Sequence, residues 1–227
     1  MKIERASLET CGSADGLVVV VDVVRAFTTA AYAFAAGAHD IVLVSTVEEA
    51  FTIRQQTPGA LVMGEVGGLA IKGFDFDNSP SELIGLDLTG LRLIQRTSAG
   101  TQGVVRCNRA EIVLAGSFVC ADATVGYIRR QSPAKVTFVI TGAGPDRDGD
   151  EDVACADYME GLLDGETPDI APFLQRVRDA IPGIVATNPG ISEILAVDVE
   201  CCVAVNRFDF AMLVQRRGEL WIMSPVR

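Results

Sequence analysis

Residues 17–29 read Leu17-Val18-Val19-Val20-Val21-Asp22-Val23-Val24-Arg25-Ala26-Phe27-Thr28-Thr29. The run from Leu17 to Val21 is apolar, rich in β-branched residues and free of polar alternation, the pattern of a strand buried on both faces. It stops at a carboxylate and passes through Arg25 into an Ala-rich helix over about Ala26–Ala36, which Gly37 ends. A doubly buried strand feeding a helix opens a βαβ unit, and such units build a parallel sheet covered on both sides.

The alternation continues along the chain. Ile41–Val44 reads as a strand, followed by a helix that Thr46 caps and that runs through Arg54, with Glu49 completing a capping box. Leu61–Met63 is a third strand, and after it comes a Gly-rich passage from Gly64 to Pro80. Leu91–Gln95, Ile112–Ala115 and Val136–Ile140 read as strands, with helices near Thr101–Cys107 and Ala121–Arg130 between them. An acidic loop, Gly142 to Asp150, precedes helices at about Asp152–Leu163 and Ile170–Ala180. The tail offers Val203–Val205 as a strand, then Phe210–Gln215 and Leu220–Met223 joined at Arg217-Gly218 as an antiparallel hairpin. The expected fold is a three-layer α/β/α arrangement with a mostly parallel, mixed sheet and a C-terminal antiparallel hairpin. A chain of 227 residues fits one domain over residues 1–227, with room for a smaller C-terminal lobe from about residue 165.

Composition narrows the chemistry. The chain has 30 acidic and 19 basic side chains, a net charge of −11, which argues against general nucleic-acid binding. His39 is the single histidine, and it follows a helix stop as a surface loop residue would, so mechanisms that need two imidazoles are excluded. The 16 arginines against 3 lysines reflect either base composition or a few guanidinium groups that hold an oxyanion bidentately. Six cysteines without a C-x-x-C, no signal-peptide pattern and no membrane-length apolar run point to a reduced, cytoplasmic protein with buried thiols and no membrane partner.

In an open α/β sheet ligands bind beyond the carboxyl ends of the strands. The residues standing there are Asp22, Arg25, Thr28 and Thr29, then Glu65, Gly67 and Gly68, then Arg96, Thr97, Ser98, Gly100 and Thr101, then Ser117, and finally Thr141 and Gly142. The segment Arg96–Gly103 is a strand–loop–helix transition whose amides suit an oxyanion, or else an ordinary helix start capped by Thr101. It is neither a Walker loop nor a dinucleotide fingerprint. Asp146, Asp148, Asp150, Glu151 and Asp152 crowd like charges that need solvent or a cation. Glu151 and Asp152, at the helix start, are the better ligand candidates for Mg²⁺, while Glu151 occupies the position where a calcium loop requires glycine. The C-x5-R spacing of Cys201 and Arg207 lacks the glycines of a cysteine-phosphatase cradle. Asp75-Phe76-Asp77-Asn78-Ser79 lacks the preceding strand of an aspartyl-nucleophile motif, and its hydroxyl falls one position late.

Taken together, the segments Asp22–Thr29, Gly64–Gly68, Gly73–Pro80, Thr97–Thr101, Gly116–Phe118 and Glu151–Ala156 resemble the 2-phosphosulfolactate phosphatase family, magnesium-dependent phosphohydrolases of coenzyme M biosynthesis. The likeness covers about residues 17–160. It implies hydrolysis of a small anionic phosphate ester, with Mg²⁺ held by some of Asp22, Glu65, Asp75, Glu151 and Asp152. The strand-end residues fit that implication: Arg25, Arg96, Thr97, Ser98, Gly100 and Thr101 are the expected phosphate-binding residues, and Asp22, Arg25 and Glu65 the expected catalytic ones. Asp22 is the first choice for the carboxylate that activates water or attacks phosphorus directly. Two departures bear on the substrate: Val66 stands where the family often has arginine, and Ala99 where it has asparagine. They leave room for a different small phosphate ester, or for a non-catalytic binder of an anionic metabolite. A third possibility is a structural protein with solvated strand ends. A homodimer is the base-rate expectation for the assembly.

Overall fold

The computed structural model describes residues 1–144, 147–187 and 192–227, the side chains at 144, 147, 187 and 192–195 excepted. Its strands are β1 (Lys2–Ser7), β2 (Gly16–Val21), β3 (Asp40–Leu43), β4 (Leu61–Val66), β5 (Leu69–Ala70), β6 (Arg92–Arg96), β7 (Ala110–Gly116), β8 (Lys135–Ile140), β9 (Ala143–Gly144), β10 (Arg147–Asp148), β11 (Ala211–Arg217) and β12 (Leu220–Val226). Its helices are α1 (Ala26–Ala35), α2 (Val47–Gln56), α3 (Gly100–Arg106), α4 (Ala121–Gln131), α5 (Asp150–Leu163), α6 (Ala171–Thr187) and α7 (Ser192–Cys202).

The valine run does what its composition requires. Val18 and Val20 pack with Phe27, Ala30 and Ala31 of α1 and Val104 of α3, while Leu17, Val19 and Val21 pack with Val125 of α4, Ala154 and Met159 of α5 and Val177 of α6. The two side-chain sets point to opposite faces because the strand repeat is two residues, so helices cover both faces of the sheet. A third apolar cluster joins Val42, Val62 and Ile94 to Ala50 and Ile53 of α2. Thr46 caps α2 by accepting from the Glu49 amide at 3.1 Å. The Glu49 carboxylate reaches one residue further back than a capping box requires, to the Ser45 N–H at 2.9 Å.

The ten-stranded sheet has the order β1-β8-β2-β7-β11-β12-β3-β6-β4-β5. The pairs β1–β8, β8–β2, β2–β7, β3–β6 and β6–β4 are parallel, whereas β7–β11, β11–β12, β12–β3 and β4–β5 are antiparallel. The mixed sheet and the C-terminal hairpin agree with the sequence reading. The hairpin's position does not follow from it: β11 and β12 sit mid-sheet, between two parallel sets that therefore run in opposite senses along the ladder. Even so, Asp22 just past β2, Glu65 near the end of β4 and Ser98 just past β6 line one cleft.

Several expectations are corrected. Val203–Val205 is a turn after α7, not a strand; Val203 and Val205 pack against the cluster that holds α4 and α5, and Ala204 against the one on the other face. α6 continues past Ala180 to Thr187 with Pro182 inside it. β1 lacks the apolar run that marked the other strands, because it is an edge strand paired through β8 and half-exposed. The acidic loop contains the short β9–β10 ribbon, and Asp146 lies outside the described residues.

Candidate active site

A cleft of about 120 Å³ opens among Asp22, Val24, Arg25, Glu65, Gly67, Gly68, Asn78, Ser98, Ala99 and Ile184. That is well under the roughly 300–1,000 Å³ of drug-sized pockets, so it takes a small ligand. Asp22 follows β2 and is 6% exposed. One of its oxygens accepts from the Ala26 N–H at 3.0 Å, which caps α1. Its other oxygen faces Gly100, where a Cβ would stand 2.8 Å from Oδ2, so the first residue of α3 has to be glycine for the two to approach. Burial pushes the Asp22 carboxyl up to about 6 against the pull of the Ala26 N–H, and the charges of Glu65 and Glu151 add to the rise.

Glu65 is placed by a second glycine. Gly64 has φ 136°, and a Cβ there would sit 1.9 Å from the Arg96 carbonyl oxygen, so only glycine lets β4 lie this close to β6. The Glu65 carboxylate then gathers the next loop. It accepts from the Ser98 N–H at 2.5 Å, the Ser98 hydroxyl at 3.0 Å and the Gly68 N–H at 2.6 Å. The Ser98 hydroxyl oxygen in turn accepts from the Gly67 N–H at 2.8 Å.

Arg25 lies at the cleft wall and is 3% exposed. Its Nη1 donates to Asp198 Oδ2 at 2.7 Å, a buried ion pair that ties α1 to α7. Asn78 lines the cleft with its Oδ1 buried and without a hydrogen-bond partner among the described residues. Asp77 beside it is partly buried, and burial raises its carboxyl, with Arg25 opposing and Glu65 and Asp198 adding to the rise.

Other expected site residues are placed differently. Thr97 and Thr101 are buried behind the cleft. The Thr97 hydroxyl accepts from the Thr101 N–H at 3.0 Å, and the Thr101 hydroxyl accepts from the Thr97 N–H at 2.9 Å. Thr101 is thus inside α3, and the helix start is held by Thr97. Arg96 donates to the Glu65 carbonyl at 2.8 Å, the Ser45 carbonyl at 3.3 Å and the Ser98 hydroxyl at 3.3 Å, and it does not line the cleft. Asp75 is likewise drawn away, accepting from Arg54 at 2.9 Å and from the Val62 N–H at 2.8 Å. Asp152 is 1% exposed and straps two strand ends together. It accepts from the Val23 N–H at 2.8 Å, the Gly142 N–H at 2.8 Å and the Thr141 hydroxyl at 3.2 Å. Burial, with Glu151 and Asp22 adding, raises its carboxyl well above the usual range. Glu151 is buried beside it, close enough for its charge to act on both aspartates.

The cleft is therefore acidic. Asp22 and Glu65 line it, Glu151 and Asp152 stand behind, and Arg25 is already matched by Asp198. A cation that bridges the charges would favour the entry of an anion into such a site. Among the described residues no group of three or more Asp, Glu, Cys or His side chains is placed to enclose a metal ion. Two hard carboxylates at a cleft wall nevertheless suit Mg²⁺, which binds through one or two carboxylates and takes its other ligands from water and phosphate oxygens.

An α/β sheet whose strand ends converge on a small, acidic, arginine-bearing cleft suits a small anionic ligand taken up together with a cation. The family model for 2-phosphosulpholactate phosphatase matches residues 4–217, and the chain belongs to that family, a family of phosphoric monoester hydrolases. A probable 2-phosphosulfolactate phosphatase of Bacillus subtilis (strain 168) is 32% identical over 203 residues, 89% of this chain and 88% of the relative. Similarly named proteins of Carboxydothermus hydrogenoformans (40% identical, 66% of this chain and 61% of the relative) and Deinococcus radiodurans (34%, 70% and 68%) also match.

The sequence reading brought Asp22, Arg25, Glu65 and Ser98 to the cleft and missed Asn78 and Asp198. Asn78 sits inside a segment already singled out, where the nearby carboxylate Asp75 drew the assignment. Asp198 carries no signal in its own neighbourhood, since only the tertiary fold brings α7 to Arg25.

Proposed function

We propose that the protein is a Mg²⁺-dependent phosphatase that hydrolyses 2-phosphosulfolactate to sulfolactate and inorganic phosphate. The observation that carries the reading is the pairing of two carboxylates, Asp22 and Glu65, with a buried arginine, Arg25, in one small cleft at the strand ends. Family membership and the relatives' names support the choice of ester. In the reaction a water oxygen forms a bond to phosphorus, the ester P–O bond breaks, and the alcohol leaves with the proton that water gives up. Asp22 and Glu65, with Glu151 behind them, would hold the ion, which supplies positive charge to the phosphoryl oxygens when bound. Arg25 offers its guanidinium to an anionic oxygen of the substrate. Asp22 either takes the proton from water, or attacks phosphorus itself and expels the alcohol, in which case water then displaces the Asp22 carboxylate from phosphorus and its proton balances the one taken up by the alcohol. Asp152 holds Asp22 in place by fixing the chain at Val23, and Asn78 presents its unpartnered amide oxygen to a donor.

A second reading, a different small phosphate ester, is favoured by one observation: Ala99 lines the cleft and offers no polar side chain there. The test is phosphate release from 2-phosphosulfolactate and from a panel of carboxylated phosphate esters, with Mg²⁺ and with EDTA. Release with Mg²⁺ that falls to background in EDTA is expected. A panel member turned over with about tenfold higher kcat/KM or more would move the substrate assignment. Thermal stabilisation by phosphate with no release from any ester would make the protein a binder.

A further inference from the structure

Helix α7 carries a carboxylate, Asp198, to Arg25 of the cleft wall, where it is 0% exposed. Its Oδ2 accepts from Arg25 Nη1 at 2.7 Å. Its Oδ1 accepts from the Ser79 hydroxyl at 2.8 Å, the Ser81 hydroxyl at 2.7 Å and the Ser81 N–H at 3.1 Å. Any buried carboxylate needs its lone pairs satisfied, and here the donors that do so come from two directions, Arg25 on one oxygen and the Ser79–Ser81 turn on the other. Four donors fix its plane, and a planar guanidinium bonded to a fixed oxygen is itself fixed. Arg25 belongs to the cleft wall, so the ordering that a long arginine side chain loses on binding an anion has already been met in the free protein. The serine donors also draw charge from Asp198, leaving part of the Arg25 charge available to the cleft.

We infer that Asp198 is a positioning residue that aims Arg25 at an anionic oxygen of the substrate, with Ser79 and Ser81 holding Asp198 in turn. The inference rests on the phosphatase reading for the identity of the anion. Its test is a double-mutant cycle on phosphate affinity, which isolates coupling through Arg25 from loss of packing. Inorganic phosphate binding to the full chain is measured by calorimetry with Mg²⁺ present, for the wild type, D198N, R25A and R25A/D198N. D198N keeps the side-chain shape and removes the charge. The expected result is about a tenfold rise in the phosphate Kd, with KM for the ester rising more than kcat falls, and less than about a twofold further effect in the R25A background. If D198N lowers Tm, S81A replaces it in the cycle, since it removes one hydrogen bond from Asp198 but leaves both charges in place. A several-fold loss that vanishes in R25A is then expected.

Wild-type affinity in D198N, an equal loss in both backgrounds, or a wild-type chain that binds no phosphate would each overturn the inference. A wild type that binds phosphate but releases none from any ester would sink the phosphatase reading alone, because the affinity cycle still decides the role of Asp198.

Discussion

Asp22 spends one oxygen on the Ala26 N–H and presses the other toward Gly100, in a buried place shared with the charges of Glu65 and Glu151. Its folded pKa of about 6 lies above the ordinary 3.8, so the ionised group opposes folding at pH values above the folded pKa, and the penalty disappears below the ordinary value. Asp22→Asn should therefore separate function from stability. Turnover should fall by about 10²–10⁴-fold. At pH 8 in EDTA the variant should be about 1–3 kcal/mol more stable, a rise in Tm of roughly 2–12 °C by calorimetry. Near-normal turnover would remove Asp22 from the mechanism, and an unchanged Tm would deny the electrostatic penalty. At this scale much of the site was legible, because residues just past a doubly buried strand have few places to go but the sheet's carboxyl edge. Asp75 was misplaced because residue type says nothing of which neighbour captures a carboxylate, and Arg54 captures this one.

Helix starts and close strand approaches set the site's shape. The Thr97–Thr101 reciprocal bonds and the three donors on Glu65 make one rigid loop between β6 and α3. That loop depends on Gly64. Gly64→Ala places a Cβ where the Arg96 carbonyl stands, in a backbone conformation that side chains rarely adopt, and should cost at least about 3 kcal/mol in urea unfolding together with most of the activity. A loss below about 0.5 kcal/mol, the range of ordinary surface substitutions, would contradict the register of β4 on β6. Strong elements such as β2, α2 and α4 were readable from periodicity and capping. β1 and α7 were not, since β1 takes its hydrogen bonds from an edge pairing and α7 contributes Asp198 through contacts far away in sequence.

On the scale of the whole molecule the C-terminal hairpin is a keystone. β11 joins β7 and β12 joins β3, with Met212, Val214, Ile222 and Met223 buried. Ending the chain at Asp209 should leave β7 and β3 as open edges and separate the two parallel sets. Such a protein should aggregate or lose its cooperative thermal transition, as followed by circular dichroism and light scattering. A soluble truncation with a sharp transition would show that the halves hold together without the hairpin. Among the described residues no helix is long and apolar enough to cross a membrane. His39 is an exposed loop residue and the six cysteines are buried free thiols, so neither type enters the cleft.

The sequence by itself determined the local terms: the valine strand, its helical partners, and the carboxylate, arginine and hydroxyl residues set just past strand ends. These follow from backbone periodicity and from the exclusion of polar groups from a core covered on both faces. Only the tertiary structure decided that the hairpin would enter mid-sheet, that Arg96 and Asp75 would serve backbone and packing rather than the cleft, and that Asp198 would meet Arg25. Those outcomes depend on strand order and on the competition among donors for each carboxylate, and neither is a property of neighbouring residues along the chain.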